Sequence, residues 1–197
     1  QATYTYQGTG GVPIGSFFNR VMFALKYQEP NMVLSDLLNA DSRIMEIRDP
    51  RDRVEKVAPW LTTDGDPYPV VVDGRVLWMV DGYTTTDAYP NSTPTSLGDA
   101  TTDTLTQLSN NGANQVSQDV NYIRNSVKAT VDAYTGKVTL YAWDPDDPLL
   151  KTWQKIFPST IKPASDMSPQ LLAHVRYPED LFKAQRYILG TYHVTDP

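Results

Sequence analysis

An Asp-Gly pair between two β-rich runs constrains the fold of this chain more than any other feature of its sequence. The pair, Asp73-Gly74, lies in the segment PYPVVVDGRVLWMV. Asp-Gly suits the two central positions of a type I′ turn, which predicts a two-residue hairpin in which Val72 faces Arg75. Both faces of the two strands are apolar, so we expect both strands to lie centrally in a sheet that is covered on two sides.

A second hairpin is predicted from NSVKATVDAYTGKVTLYAW, with its turn at Thr135-Gly136. In its first strand apolar residues alternate with Lys128, Thr130 and Asp132, which predicts that one face of this hairpin is exposed to water. Because an isolated two-stranded hairpin is marginal in water, we expect both hairpins to share one antiparallel sheet of at least four strands. Helices are then needed to cover the remaining face.

Several short helices are predicted on either side of the hairpins. Their N-cap signals are Ser16, Asp49-Pro50, Asp147-Pro148 and Ser168-Pro169, and a last helix follows Tyr177-Pro178, with Leu181, Gln185, Ile188 and Tyr192 forming one stripe. The fold class is therefore α+β, an antiparallel sheet of two β-hairpins covered by short helices. The helix from Phe17 to Tyr27 is apolar on most of its circumference, and we expect it to be buried rather than to lie on a membrane.

Between the hairpins, Asn91 to Asp119 contains three aspartates, no basic residue and many small polar residues. Such a segment has too little apolar surface to offset the entropy lost on ordering. We expect a single domain over residues 1–197, with a mobile insertion at about 91–119. Limited proteolysis should cleave first between Thr95 and Asn114.

The composition argues against several classes of function. The chain has 197 residues, 17 basic against 23 acidic, and a formal net charge of −6, so nucleic acid is not an expected partner. It has no cysteine, which excludes disulfides and thiol catalysis, and only two histidines without metal-ligand spacing. A Walker loop and a serine elbow are also absent, so we predict no cofactor, no metal and no catalytic residue.

Acidic residues are crowded in two short segments, TDGDPY and WDPDDP. Asp64 and Asp66 in the first segment, and Asp144, Asp146 and Asp147 in the second, could supply oxygen ligands to calcium. We favour turns and helix caps for both segments, since neither is an EF-hand loop. A hydrolase with carboxylates from remote segments stays open, because 23 acids make chance pairs common.

Two arginine-containing segments, NYIRN and VRYPED, form the candidate site. Each arginine lies beside a tyrosine at a structural boundary, and a buried guanidinium needs an acceptor. We expect the two segments to meet, either as an ion-paired joint or as a ligand-binding corner. The candidate residues are Asn121, Arg124, Asn125, Arg176, Tyr177 and Asp180.

Long blocks such as GGVPIGSF, RVEKVAPWLTTDGDPYPVVVDGRVLWMVDGYTTTDAYP, NYIRNSVKATVDAYTG and HVRYPEDLFKAQ resemble the uncharacterised protein family 0182 of large bacterial membrane proteins, its actinobacterial branch in particular. The resemblance implies that this chain is a piece of the extracytoplasmic region of a multi-pass cell-membrane protein. The membrane spans would then lie outside these residues. The resemblance implies no activity.

Three functions remain open on this basis. We favour a non-catalytic extracytoplasmic domain that binds an envelope ligand, such as a glycan or lipid, or a partner protein. An enzyme acting on envelope glycan or lipid is the second hypothesis, and the third is a structural domain for the assembly of the membrane protein, with another protein or as a homo-oligomer. A large exposed apolar patch would favour the third.

Overall fold

The computed structural model describes residues 6–102 and 118–192, in which short strands and helices are interspersed. Its strands are β1 (Val12–Pro13), β2 (Arg43–Ile44), β3 (Thr62–Thr63), β4 (Tyr68–Val72), β5 (Arg75–Thr86), β6 (Thr95–Ser96), β7 (Asp119–Val120), β8 (Tyr122–Asp132), β9 (Val138–Ala142) and β10 (Ile161–Pro163). Its helices are α1 (Phe17–Tyr27), α2 (Asn31–Leu34), α3 (Pro50–Val57), α4 (Leu97–Thr101), α5 (Pro148–Ile156), α6 (Pro169–Leu172) and α7 (Glu179–Tyr192). A 3-10 turn, Ala164–Asp166, lies between β10 and α6.

The main sheet of the described part contains six strands. Their order is β10, β9, β8, β5, and both β3 and β4 pair with β5. The pairs are antiparallel except for β9 and β10, which run parallel. Both predicted hairpins, β4–β5 and β8–β9, lie in this sheet, because β5 pairs with β8. The α+β class and the shared sheet of at least four strands are confirmed.

The first hairpin has the predicted turn but not the predicted position of both strands. Asp73 and Gly74 have φ angles of 50° and 72°, and Val72 faces Arg75, as a type I′ turn requires. β5 is central, between β4 and β8. The prediction was wrong for β4, which pairs with β5 alone among the described strands and exposes Pro69 and Val71. Proline lacks the N–H that a second neighbour would need, so it fits this edge position.

The expectation of a water-exposed face on the second hairpin was also wrong. Lys128, Thr130 and Asp132 are all buried. β8 lies between β5 and β9, and both faces of this sheet carry a core of buried side chains. The polar groups of this face are compensated internally; the carboxylate of Asp132, for example, accepts the backbone N–H groups of Tyr134 and Thr135.

Two apolar cores cover the faces of the main sheet. On one face, Val54 of α3 and Leu150 of α5 pack against Val80 of β5 and Val127 of β8. On the other face, the core includes strands β4, β5 and β9 and extends to Leu171 of α6. The sheet is thus a middle layer, as expected of a domain in which helices cover a sheet.

The helix caps agree with the sequence. The side chains of Ser16, Asp49, Asp147 and Ser168 each accept a backbone N–H from the first turn of the helix that follows. The predicted burial of α1, however, was wrong, because none of its residues is buried in the described structure.

The last helix, α7, is buried only in its first two turns. Asp180 and Ala184 are its buried residues, whereas Gln185, Ile188 and Tyr192 of the predicted apolar stripe are exposed. The predicted stripe is therefore exposed beyond Leu181. Among the described helices, none has both the length and the apolar composition needed to cross a bilayer.

The predicted insertion at 91–119 has ordered ends within the described residues. β6 pairs with β7, and Leu97 and Ala100 of α4 are buried. Its central part, residues 103–117, lies outside the described residues. Its mobility and its proteolytic cleavage therefore stay predictions.

Asp147 joins α5 to the main sheet. Its fully buried carboxylate accepts the backbone N–H groups of the first turn of α5, and hydroxyl groups of Thr84 and Ser126 at 2.6 Å each. Tyr122 donates a further hydroxyl at 2.6 Å. Burial raises the pKa of Asp147, but these hydrogen bonds outweigh it, so the pKa lies below its ordinary value.

We expect Asp147→Ala to lower the free energy of unfolding by about 3 kcal/mol, because it removes a helix cap and leaves buried hydroxyls without an acceptor. The matched control is Asp49→Ala, an exposed N-cap on α3, for which a loss of about 1 kcal/mol is expected. Denaturant unfolding measures both. Equal losses would contradict a role of Asp147 beyond the cap.

The same carboxylate sets a pH dependence. Because its pKa is lower in the folded state than in the unfolded state, Asp147 stabilises the fold above the unfolded value, and this contribution is lost as the pH falls through the folded value. The wild-type protein should therefore lose more stability than Asp147→Ala between pH 5 and about pH 2.

Candidate functional site

A cleft of about 560 Å³ lies beside the N-terminal end of α7. We call it the α7 cleft, and it is lined by Asp64, Asp66, Tyr68, Asp81, Arg176, Tyr177, Pro178, Glu179 and Phe182. Its volume is in the range of small-molecule binding sites. The residues come from the loop before β4, from the strands β4 and β5, from the segment that leads into α7, and from the first turn of α7.

Lys128 and Asp81 form a buried ion pair at the base of the α7 cleft. They lie opposite each other on β8 and β5, and Lys128 is only 2% exposed. Its Nζ bonds to the Asp81 carboxylate, donates to the carbonyl of Arg176 at 3.0 Å, and lies 5.4 Å from the centre of the Trp143 ring. Burial raises the pKa of Asp81, and the charge of Lys128 lowers it in part. The pair thereby ties two central strands to the Arg176 side of the cleft.

Asp64 caps the first turn of α7 from a distant part of the sequence. Its carboxylate accepts the backbone N–H of Asp180 at 3.0 Å and the buried hydroxyl of Tyr83. In return, the carboxylate of Asp180 accepts the N–H of Gly65 at 2.7 Å. Burial first, and then the charge of Asp64, raise the pKa of Tyr83, so its hydroxyl remains a donor at neutral pH. This reciprocal cap fixes where α7 begins.

Arg176 is held over Tyr68. Its guanidinium carbon lies 4.4 Å from the centre of the Tyr68 ring, which is cation–π geometry. The Tyr68 hydroxyl accepts the backbone N–H of Arg176 at 3.2 Å and donates to the carbonyl of His174 at 3.1 Å. Tyr177, which is exposed, donates its hydroxyl to Gln185 at 2.8 Å. The segment before α7 is thus fixed by side chains from both the sheet and the helix.

Asp66 and Glu179 both line the cleft, and Glu179 pairs with Lys183 at 2.6 Å. Burial is the main cause that raises the pKa of Asp66, and the charge of Glu179 raises it further. A neighbouring negative charge disfavours the ionised form of a carboxyl group, so this part of the cleft suits ligand groups that donate hydrogen bonds.

A second cleft of about 410 Å³ runs along α7, lined in part by Leu181 and Gln185. Arg124 lines it and is paired with Asp144, with 2.5 Å between Nη2 and Oδ2. Asn125 also lines it and donates its amide to Asp81 at 3.2 Å. The Oδ1 atom of Asn125 is buried and has no hydrogen-bond partner among the described residues.

Asn121, by contrast, belongs to the entrance of β8. Its side-chain amide donates to the carbonyls of Tyr89 and Ser92 at 2.9 and 3.1 Å, and its Oδ1 accepts the N–H of Tyr89 at 3.0 Å. It therefore fixes the loop that follows β5 and lines neither cleft.

The structure thus distributes the six predicted site residues over several places. Arg176 and Tyr177 line the α7 cleft, Arg124 and Asn125 line the second cleft, Asp180 takes part in the cap behind the α7 cleft, and Asn121 lies apart. Lys128 lies in neither predicted segment, but it donates to the Arg176 carbonyl and pairs with Asp81, which accepts the amide of Asn125. Whether any of the six binds a ligand stays a prediction.

Sequence reasoning missed Asp81 and Phe182 of the α7 cleft, and it also missed Lys128, which pairs with Asp81. The alternation in β8 indicated a surface position for Lys128, and nothing local distinguished Asp81 from other acids. The crowded acids of TDGDPY were the one available signal. One of them, Asp64, does act as a helix cap, although it caps the distant helix α7.

The lining of the α7 cleft suits a ligand that carries hydroxyl or amine groups. Carboxylates accept hydrogen bonds from such groups, the guanidinium of Arg176 donates, and the rings of Tyr177 and Phe182 offer apolar faces. Within residues 6–102 and 118–192, no three His, Cys, Asp or Glu side chains are grouped so as to hold a metal ion.

Fold and cleft together define an α+β domain in which a mainly antiparallel sheet supports a mixed polar and aromatic cleft at a helix N-terminus. The chain belongs to the uncharacterised protein family UPF0182, whose family model matches residues 1–197. The resemblance found in the sequence is thereby confirmed.

Relatives in this family are close in sequence but much longer. UPF0182 proteins of Frankia casuarinae and Saccharopolyspora erythraea are 61% and 60% identical over the whole chain, and that of Corynebacterium diphtheriae is 55% identical over 99% of it. The chain spans only 19–20% of the length of these three proteins. No solved structure matches the chain.

We expect Lys128→Met to lower the free energy of unfolding by about 3–5 kcal/mol, because it leaves the carboxylate of Asp81 buried without its partner. The double variant with Asp81→Asn should recover part of this loss. Lys137→Met, at an exposed lysine beyond the β8–β9 turn, is the control. Denaturant unfolding near pH 7 gives all three values.

The loss caused by Lys128→Met should shrink in acid. Burial already raises the pKa of Asp81, and without Lys128 it rises further. The folded state then keeps a proton that the unfolded state has released, so the stability of the variant falls as the pH rises from about 4 upward. A loss that is constant from pH 4 to pH 7 would contradict the buried pair.

We expect Glu179→Gln to lower the pKa of Asp66, because the variant removes the neighbouring charge that raises it. Carboxyl ¹³C NMR titration measures this pKa directly. Asp146→Asn, at a largely exposed side chain beside Lys151, should leave it unchanged. An unchanged pKa in Glu179→Gln would show that the two carboxyl groups do not interact.

Proposed function

We propose that this chain is a non-catalytic extracytoplasmic domain of a bacterial membrane protein, and that it binds an envelope ligand in the α7 cleft. The observation that carries the proposal is the cleft itself, whose volume of about 560 Å³ fits a small ligand or a headgroup. The resemblance to large membrane proteins supplies the location, which is an expectation.

The construction of the cleft supports binding. Its base is fixed by the Lys128–Asp81 pair and its wall by the reciprocal cap between Asp64 and Asp180. These groups satisfy one another, so they hold the shape of the cleft. Phe182 and Tyr177, which are exposed, remain to contact a ligand. A preformed site of this kind loses little conformational entropy on binding.

The carboxylates in the cleft give less support to a glycosidase. In such enzymes the two catalytic carboxyl groups are separated by about 5–9.5 Å, which leaves space for a sugar atom or a water molecule. In the α7 cleft, Glu179 is instead engaged by Lys183 at 2.6 Å. Asp64 is engaged by the N-terminus of α7 and by Tyr83. We therefore favour binding over catalysis.

We expect an envelope component to raise the unfolding temperature of the full-length protein, because a ligand that binds the folded state stabilises it, by about 2.7 kcal/mol at a hundredfold excess over Kd. The probes are soluble glycan fragments from the cell wall of the host and polar lipids from its membrane. Thermal unfolding in the presence of each probe is the measurement.

The variant Phe182→Ala should raise the Kd of the stabilising probe about tenfold, because it removes an aromatic contact from the cleft. Val71→Ala on β4 is the matched control, since the two side chains are 57% and 58% exposed. The proposal fails if no probe stabilises the wild-type protein, or if Phe182→Ala responds as the control does.

A further inference from the structure

The exposed side of α1 carries large apolar side chains. Phe18, Met22 and Leu25 follow the i, i+4, i+7 spacing of one helix face, and they are 70%, 52% and 71% exposed. We call these three residues the apolar face of α1. Single exposed apolar residues are normal, but a contiguous apolar face marks an interaction surface.

The side of α1 that is directed toward the domain carries Asn19 and Arg20 together with the half-buried Val21, Phe23 and Ala24. Arg20 donates to the carbonyls of Ile14 and Leu38 at 3.2 and 2.8 Å, and Asn19 donates to Pro13 at 2.8 Å. A helix on a free surface has its apolar stripe on the core and its charges in water. Because α1 has apolar residues on its outer side as well, it matches a helix that is covered on both sides.

The length of α1 leads to the same conclusion. It has 11 residues and buries none of them in the described structure. Isolated helices shorter than about 12–15 residues are marginal in water, and packing of an apolar face supplies most helical stability in proteins. The apolar face of α1 therefore needs a surface to pack against.

We infer that the apolar face of α1 packs against another part of the same full-length polypeptide. The family relatives are about five times as long as this chain, so most of the full-length protein lies outside these residues. A segment on the same polypeptide has an effective concentration in the millimolar range, whereas a second copy or another protein does not.

The charges around α1 disfavour a lipid bilayer as the occupant. Interfacial helices are rich in Lys and Arg, which attract anionic headgroups. Here Lys26 is paired with Glu46, and Glu29 and Asp36 are exposed nearby. An apolar protein surface does not require basic residues at the rim. The occupant that fits is an apolar helix or loop of the same chain.

Site-directed labelling of the full-length protein in its membrane tests coverage. The chain has no cysteine, so Phe18→Cys and Leu25→Cys each introduce a single thiol into it, and the unsubstituted protein gives the background. Both should react with a soluble maleimide at least about tenfold more slowly than Asp146→Cys, whose side chain is 88% exposed, because a covered thiol reacts only when the interface opens. Labelling as fast as at position 146 would overturn the inference.

A photo-crosslinking amino acid at position 18 identifies the occupant. A crosslink to a peptide of the same molecule supports the inference, and mixing isotope-labelled with unlabelled protein separates this result from a crosslink to a second copy. A crosslink to a second copy, to lipid or to another protein overturns it, as does no crosslink at all. If the substitution at position 18 prevents folding, the same probe at position 22 replaces it.

Discussion

Lys128 and Asp81 carry opposite charges on two adjacent central strands, and both residues are buried. Removing the two charges from water costs several kcal/mol per ion, and their attraction offsets this only when hydrogen bonds satisfy the remaining donors and acceptors. That condition is met by the Arg176 carbonyl and by the amide of Asn125, which donates to Asp81. An apolar pair of similar volume could fill the space, but it would not hold the segment before α7. The pair therefore positions the cleft as well as the strands.

The two buried helix caps show which part of the fold the sequence predicts. Asp147 precedes Pro148, so its role as an N-cap is a local property and was predicted. Asp64 caps α7 across 116 residues, and no local pattern connects it with Asp180. Both carboxylates accept hydrogen bonds from helix N–H groups and from hydroxyl groups of the sheet. A helix cap supplied by the adjacent residue can be predicted from the local sequence. A cap supplied by a residue distant in sequence depends on the tertiary fold.

A period of two residues predicted the strands of the second hairpin but not their surroundings. Lys128 alternates with apolar neighbours as a solvent-facing residue would, and the structure buries it because a second core covers that face. The opposite error occurs at α1, where Phe18 and Leu25 indicated burial and are exposed. In both cases the pattern reports the polarity of a face correctly. It does not report what covers that face, since the covering segment lies elsewhere in the fold or beyond this chain.

The α7 cleft and the apolar face of α1 differ in chemistry, and this difference determines what each surface can bind. The α7 cleft combines a guanidinium, carboxyl groups and aromatic rings in a concave site, so it can distinguish ligands by the direction of their hydrogen bonds. The apolar face of α1 offers no polar group, and Arg20 is already engaged by backbone carbonyls. Such a face gains free energy in proportion to the area it buries, which favours a large protein surface over a small ligand. Ligand recognition at one surface and attachment to the remaining polypeptide at the other can therefore coexist in one domain.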